Sequence, residues 1–186
     1  MPDNANTTRI PLLERGQVTA EVANVYDALL KARGVVPNMF KTLAHTPALA
    51  LATAGYLKAL LSDGALPGPY KELIAVRLSV LLASDYAIKA HALSAKQKGA
   101  AEAQIAAARG DYESGPFTEA EKLGFRAAER LHRSAPEITD EFFIMLKQHF
   151  TDPQIVELVA TAAAFELFPR FVDALHIPIT PTPAGV

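Results

Sequence analysis

Cysteine is absent from the 186-residue chain. That one gap excludes disulfides, thiolate nucleophiles, iron–sulfur clusters and cysteine zinc sites together. Tryptophan is missing as well. Charge of one sign is not concentrated anywhere: 18 Lys and Arg stand against 20 Asp and Glu, for a net charge of −2. Without a basic stripe, nucleic acid and anionic membrane are not expected partners. No uninterrupted apolar run reaches membrane length, and the opening MPDNANTTRI has neither a basic n-region nor a continuous apolar core. A cytoplasmic protein is the expectation. There is also no Gly-rich phosphate loop and no dinucleotide fingerprint, so no cofactor is expected.

What remains is apolar and helical. Half of the residues are hydrophobic and 20% are charged, which gives one domain of this length, residues 1–186, a sizeable core. Alternating β-branched stretches bounded by turns are lacking apart from the short HIPITPTP tail, so the expected fold is all-α, with about eight helices. Residues 1–18 read as an extended arm that lies over a neighbour, and residues 176–186 as a C-terminal tail. A first helix starts at the capping residue Thr19 and ends at Gly34. A short helix follows Pro37, and Pro47 ends it and opens the next, which stops at Ser62-Asp63-Gly64. Beyond residue 99 come a short helix to Arg109, a capping-box helix from Thr118 with Glu121, and helices over 140–150 and 151–168, where Pro169 interrupts the pattern. Tyr70 to Ile74 and Pro153 to Val159 both open apolar helices after a proline link, an echo too short to count as a repeat.

Residues 70–99, YKELIAVRLSVLLASDYAIKAHALSAKQKG, place polar groups at fixed intervals inside an apolar pattern. Glu72 opens a helix with Leu73, Val76, Val80 and Leu81 on its inner side, and Ser84-Asp85 starts a second helix carrying His91. So short a junction makes the two antiparallel neighbours. Glu72 and His91 then lie about 18 and 10 Å from Ser84 along their helices, within reach of facing each other.

The arrangement Glu-x11-Ser-x2-Ala-x3-His, with Gly99 eight residues after the histidine, resembles the carboxymuconolactone decarboxylase and AhpD-like alkylhydroperoxidase superfamily. Peroxidase members carry Glu-x11-Cys-x2-Cys-x3-His, so Glu72 and His91 match while Ser84 and Ala87 stand where the two redox cysteines would be. The Pro-Asn-Met-Phe stretch before His45-Thr46-Pro47 extends the likeness. The resemblance implies an AhpD-like helical bundle around a central antiparallel hairpin, a proton-relay or acid–base role for Glu72 and His91, and assembly into trimers or hexamers. Because neither serine nor alanine forms a disulfide or sulfenic acid, thiol peroxidase turnover is not expected.

Each candidate also has a plainer reading. Glu72 suits a helix N-terminus, where a carboxylate complements the dipole. Facing an apolar hairpin, it would have its pKa raised by desolvation and hold a proton near neutral pH. His91 is either a half-exposed helix histidine or the group that shuttles a proton to a bound substrate. Ser84 precedes it by seven residues, but no nucleophile elbow surrounds the serine, and a helix-capping hydroxyl is the stronger reading. Tyr86 orients a ligand or packs at the rim. Together Ser84, Tyr86 and Ala87 form the candidate binding lining. Arg77 suits a surface ion pair or an anionic substrate. His45, His132, His149 and His176 form no i, i+4 pair and no His-x-x-Glu set, so no metal site is expected. The apolar segments 73–82 and 155–165 exceed what one small bundle needs, which suggests a homo-oligomer (dimer, trimer or hexamer). Two functions fit: a non-redox acid–base enzyme of lyase or isomerase type on a small organic substrate, or a non-catalytic, redox-inactive oligomeric binder of small molecules or proteins.

Overall fold

The computed structural model describes residues 8–182. The ends of the expected arm and tail, 1–7 and 183–186, lie outside the described residues. Among the described residues there are nine α-helices and no strand: α1 Ala20–Arg33, α2 Asn38–Leu43, α3 Pro47–Leu61, α4 Gly68–Leu81, α5 Asp85–Gln97, α6 Glu102–Arg109, α7 Glu119–Arg133, α8 Asp140–His149 and α9 Asp152–Ala174. Two 3-10 turns, Arg15–Gln17 and Ala135–Glu137, complete the order. Contacts group the chain into two compact units, one holding 8–59 and 171–182 and the other 60–170.

In the first unit, capping chemistry sets the ends of α1. Thr19 accepts the Val22 N–H at 3.5 Å, and Gly34 closes the helix in a left-handed conformation, φ 73°. Val22, Ala23 and Tyr26 bury one face of the helix, while Phe40 and Leu43 of α2 are buried in the same unit. The Tyr26 hydroxyl donates to the Leu13 carbonyl at 3.1 Å, and the Leu13 N–H donates to the Lys41 carbonyl at 3.1 Å. Leu13 thus fastens the described part of the arm to its own chain, its backbone groups finding partners on α1 and α2. At the other end, the Asn38 N–H donates to Thr180 Oγ1 at 2.9 Å and its side-chain amide to the Pro178 carbonyl at 3.0 Å, which fastens the tail without strand pairing.

The second unit is built around α4. From Tyr70 to Val76 every residue is buried, with Leu78 and Ser79 beyond, and the helix packs on α5, α6 and α7. A helix wrapped this fully shows no single apolar face, so the expected inner stripe is only partly right: Leu73 and Val76 are inside, but Leu81 is exposed. Phe125 of α7 anchors an aromatic cluster with Tyr70, Phe117 and Tyr112, at ring-centroid distances of 5.6, 5.0 and 4.8 Å. The approach of α7 depends on Gly124, where an added Cβ would stand 2.1 Å from the Tyr70 hydroxyl.

Two buried charges follow each other on α4 and point to different helices. Lys71, fully buried, donates to Glu157 of α9 at 2.9 Å, and the same carboxylate accepts the Ala65 and Leu66 N–H groups at 2.9 and 3.0 Å. Glu157 therefore ties the link before α4 to α9. Helix α9 does not stop at Pro169 as the proline suggested. It runs on to Ala174, since the ring costs one N–H donor but Pro169, Phe165 and Val172 are all buried along it.

Candidate functional site

The junction of α4 and α5 is a Schellman turn. Ala83 and Ser84 donate their N–H groups to the Val80 and Ser79 carbonyls at 3.0 and 2.9 Å, with Ala83 in the left-handed region at φ 54°. Without a glycine at that position, the sequence carries no sign of the motif. Helix α5 then starts at once and returns along α4. It ends in the same motif with the expected residue: Gly99 and Ala100 donate to Lys96 and Ala95 at 3.0 and 2.9 Å, and Gly99 has φ 96°.

Between these turns the spacing of α5 decides what faces Glu72. Ala87, His91, Ser94 and Lys98 follow at intervals of four, three and four residues, one helical stripe. Counted from Ser84, the axial depth of Glu72, about 18 Å, lies between those of Ser94 and Lys98, about 15 and 21 Å. One carboxylate oxygen therefore meets groups beyond the histidine. His91 Nδ1–H donates to Glu72 Oε2 at 2.6 Å, while Ser94 Oγ and Lys98 Nζ donate to Oε1 at 2.7 and 2.5 Å. Lys98 Nζ also donates to the Leu61 carbonyl at 2.7 Å.

Glu72 is 1% exposed, and the His91 side chain retains 13%. From α9, Phe165 presents its ring edge-on to the imidazole, centroid to centroid 4.4 Å, and fixes the ring plane. The expectation of a protonated glutamic acid is overturned. Burial is the largest single influence and pushes the Glu72 pKa up, but the hydrogen bond and charge of His91, together with Lys98, pull it down to about 2. An ionised carboxylate accepting from Nδ1 selects the tautomer in which Nε2 carries the lone pair.

The remaining expectations divide. Ser84 is buried and holds the N-cap position of α5, yet its side chain makes no capping hydrogen bond; its carbonyl accepts the Ile88 N–H at 2.9 Å, the first hydrogen bond of the helix. Tyr86 and Ala87 are buried on the first turn of α5, and Ala87 stands one turn before His91 on its face. Arg77 is not a surface pair: it binds Glu129 at 2.6 Å with under a fifth of either side chain exposed and donates to the Gly110 carbonyl at 2.9 Å. His132 Nδ1 pairs with Glu166 Oε1 at 2.7 Å, a contact across 34 residues that local spacing does not reveal. Ser94 and Lys98 are the site residues missed from sequence. Their signal was present, three and seven positions after His91 on one helix. Among the described residues no three His, Asp or Glu side chains gather as a metal site, and no helix is long and apolar enough to cross a membrane.

Residues 47–130 match the model of the carboxymuconolactone decarboxylase family, a span that includes the whole α4–α5 pair. Among solved structures, the chain is similar to an uncharacterised peroxidase-related protein with an alkylhydroperoxidase AhpD core from Ralstonia eutropha JMP134, at 23% identity, TM-score 0.86, over 94% of this chain and 93% of that one. It is similar also to a peroxidase-related protein from Silicibacter sp. TM1040, at 19% identity, TM-score 0.85, over 97% and 94%. A third likeness is to a variant of the debrominase Bmp8 in complex with 2,3,4-tribromopyrrole, at 22% identity, TM-score 0.82, over 97% and 96%. These likenesses establish the AhpD-like all-α fold. No curated protein matches the chain.

Proposed function

We propose, from a chain whose residues 47–130 match the model of the carboxymuconolactone decarboxylase family, that the protein is a non-redox acid–base enzyme acting on a small organic substrate through His91 and Glu72. The observation that carries the reading is the 2.6 Å hydrogen bond from His91 Nδ1 to a buried, ionised Glu72. A carboxylate that orients an imidazole and leaves Nε2 basic is what a general base needs. Nε2 takes a proton from the substrate, the resulting imidazolium is stabilised by Glu72, and the same proton returns to another atom of the substrate or to its leaving group. Isomerase and lyase chemistry both balance on that single proton, with no oxidant, reductant or thiol.

The cysteine-free composition is in keeping with this chemistry, and a small organic ligand is supported by the variant of debrominase Bmp8, of the same fold, in complex with 2,3,4-tribromopyrrole. The site residues proposed are Glu72 and His91 for catalysis, with Ser84, Tyr86 and Ala87 as lining near the turn. We place the work in a homo-oligomer, supported by exposed apolar side chains at Phe143, Ile144 and Met145 of α8 and at Val156 and Leu167 of α9.

The test is a turnover screen of small lactones and organic acids. General acid–base catalysis contributes about 10²- to 10⁴-fold, so His91→Ala should lose that factor on any substrate found, with Glu72→Gln losing a substantial part of it. Turnover unaffected by both substitutions removes the enzyme reading. A second reading, a binder without catalysis, draws on the replacement of both redox positions by Ser84 and Ala87. It is favoured if ligands from the same screen bind the protein and emerge unchanged.

A further inference from the structure

We propose that Lys98 is the permanent counter-charge of the site, keeping Glu72 ionised whenever His91 is neutral, so that the mobile proton resides on His91 and never passes to Glu72. This deepens the acid–base reading and rests on it for its catalytic meaning, although the charge relationship is measurable without turnover.

The geometry carries the case. Glu72 is 1% exposed, and an isolated carboxylate at such a position is driven to take up a proton. Two groups able to bear positive charge touch it: His91 at Oε2, 2.6 Å, and Lys98 at Oε1, 2.5 Å. Acid–base work requires His91 to pass through its neutral form, and in that form its charge no longer supports Glu72. Unless another cation is in place, burial then drives the carboxylate to take up a proton and donate it to Nδ1, which leaves the ring proton on Nε2, and the base is lost. Lys98 is the second cation in contact, bonded to the other carboxylate oxygen and so independent of the Oε2–Nδ1 hydrogen bond.

Lys98 is also built into position. Its Nζ is held from a second direction by the Leu61 carbonyl at 2.7 Å, and its backbone closes α5 immediately before the Gly99 turn. Three other cations of the hairpin are committed elsewhere. On α4, Lys71 pairs with Glu157 of α9 and Arg77 with Glu129 of α7; near the end of α5, Lys96 pairs with Glu102. Ser94 donates to the same Oε1 as Lys98 at 2.7 Å, adding a neutral hydrogen bond that does not depend on pH. Lys98 is therefore a positioning residue. It acts on substrate only through Glu72 and His91.

The test follows the Glu72 carboxyl carbon by NMR against pH in the full chain labelled at glutamate, with Glu72→Gln assigning the resonance. An adjacent opposite charge lowers a carboxylate by about one to three units. Lys98→Met should therefore raise the Glu72 midpoint by about one unit or more, a tenfold or greater change in proton affinity, while Lys98→Arg should restore it to within about half a unit. Lys98→Gln, which retains a donor without the charge, should behave as Lys98→Met and serves if the methionine variant does not fold. A Glu72 midpoint unmoved by loss of the charge overturns the proposal whatever the turnover. A midpoint that moves while His91→Ala retains full activity leaves Lys98 in its role and removes only the acid–base reading.

Discussion

His91 Nδ1 and Glu72 Oε2 stand 2.6 Å apart, each on its own helix and separated by 19 residues of chain. The contact joins one of the most deeply buried carboxylates of the second unit to an imidazole that still reaches solvent. What such a pair does follows from which partner owns the proton. The cations around Glu72 assign the negative charge to the carboxylate.

That assignment has a consequence for acid stability. The folded Glu72 pKa, about 2, lies below its ordinary value of 4.5. The stabilisation is therefore fully present above about pH 4.5 and is lost as pH falls through about 2. Asp27, Asp111, Glu113 and Glu157 are also lowered, so the parent curve alone does not isolate Glu72. Denaturant unfolding of the parent and of Glu72→Gln should show the parent more stable at neutral pH, by several kcal/mol for a broken buried pair. The difference should shrink between pH 4.5 and 2. A constant difference across that window would contradict it.

The turn between α4 and α5 provides a second expectation. Ala83 occupies the left-handed region at φ 54°, a conformation that costs an L-residue about 1 to 2 kcal/mol and glycine almost nothing. After the greater freedom of glycine in the unfolded chain is allowed for, Ala83→Gly should stabilise by up to about 1 kcal/mol, seen as a melting temperature roughly 2 to 4 °C higher. Ala83→Val should move it the other way. A lower melting temperature for the glycine variant would show that the turn is not strained.

Redox chemistry gives a third. The parent should consume hydroperoxide with a dithiol reductant only at background, since neither Ser84 nor Ala87 offers a sulfur. Ser84→Cys combined with Ala87→Cys places two thiols at the start of α5, one of them a turn before His91, and should raise consumption above background, with neither single variant sufficient. Measurable thiol-dependent turnover by the parent would refute the exclusion.

The sequence made the hairpin legible because its signals are local. Glu72, the Ser84-Asp85 start, His91 and Gly99 lie within 28 residues, and capping at Thr19 and Thr118 is equally short in range. The errors came where longer-range packing overrides local pattern. Pro169 reads as a helix end, but burial around it carries α9 on to Ala174. Leu81 fits an apolar stripe on paper, yet a helix enclosed on all sides up to Ser79 has no stripe to extend. For Glu72, desolvation was the larger single effect as expected, but it was outweighed by His91 and Lys98 together. The lysine's part was hidden because charge at a helix end usually means solvent. His132 with Glu166, and Lys71 with Glu157, depend on partners 34 and 86 residues apart, and no spacing rule reaches them.

The most direct measurement is a long-range proton–nitrogen NMR correlation of the His91 ring at a pH where the imidazole is neutral. The expected spectrum has the proton on Nδ1 and the lone pair on Nε2, and Glu72→Gln should abolish that preference. A parent spectrum with the proton on Nε2 and a bare Nδ1 would contradict it, because the imidazole would then not be held by Glu72 in the form a general base requires.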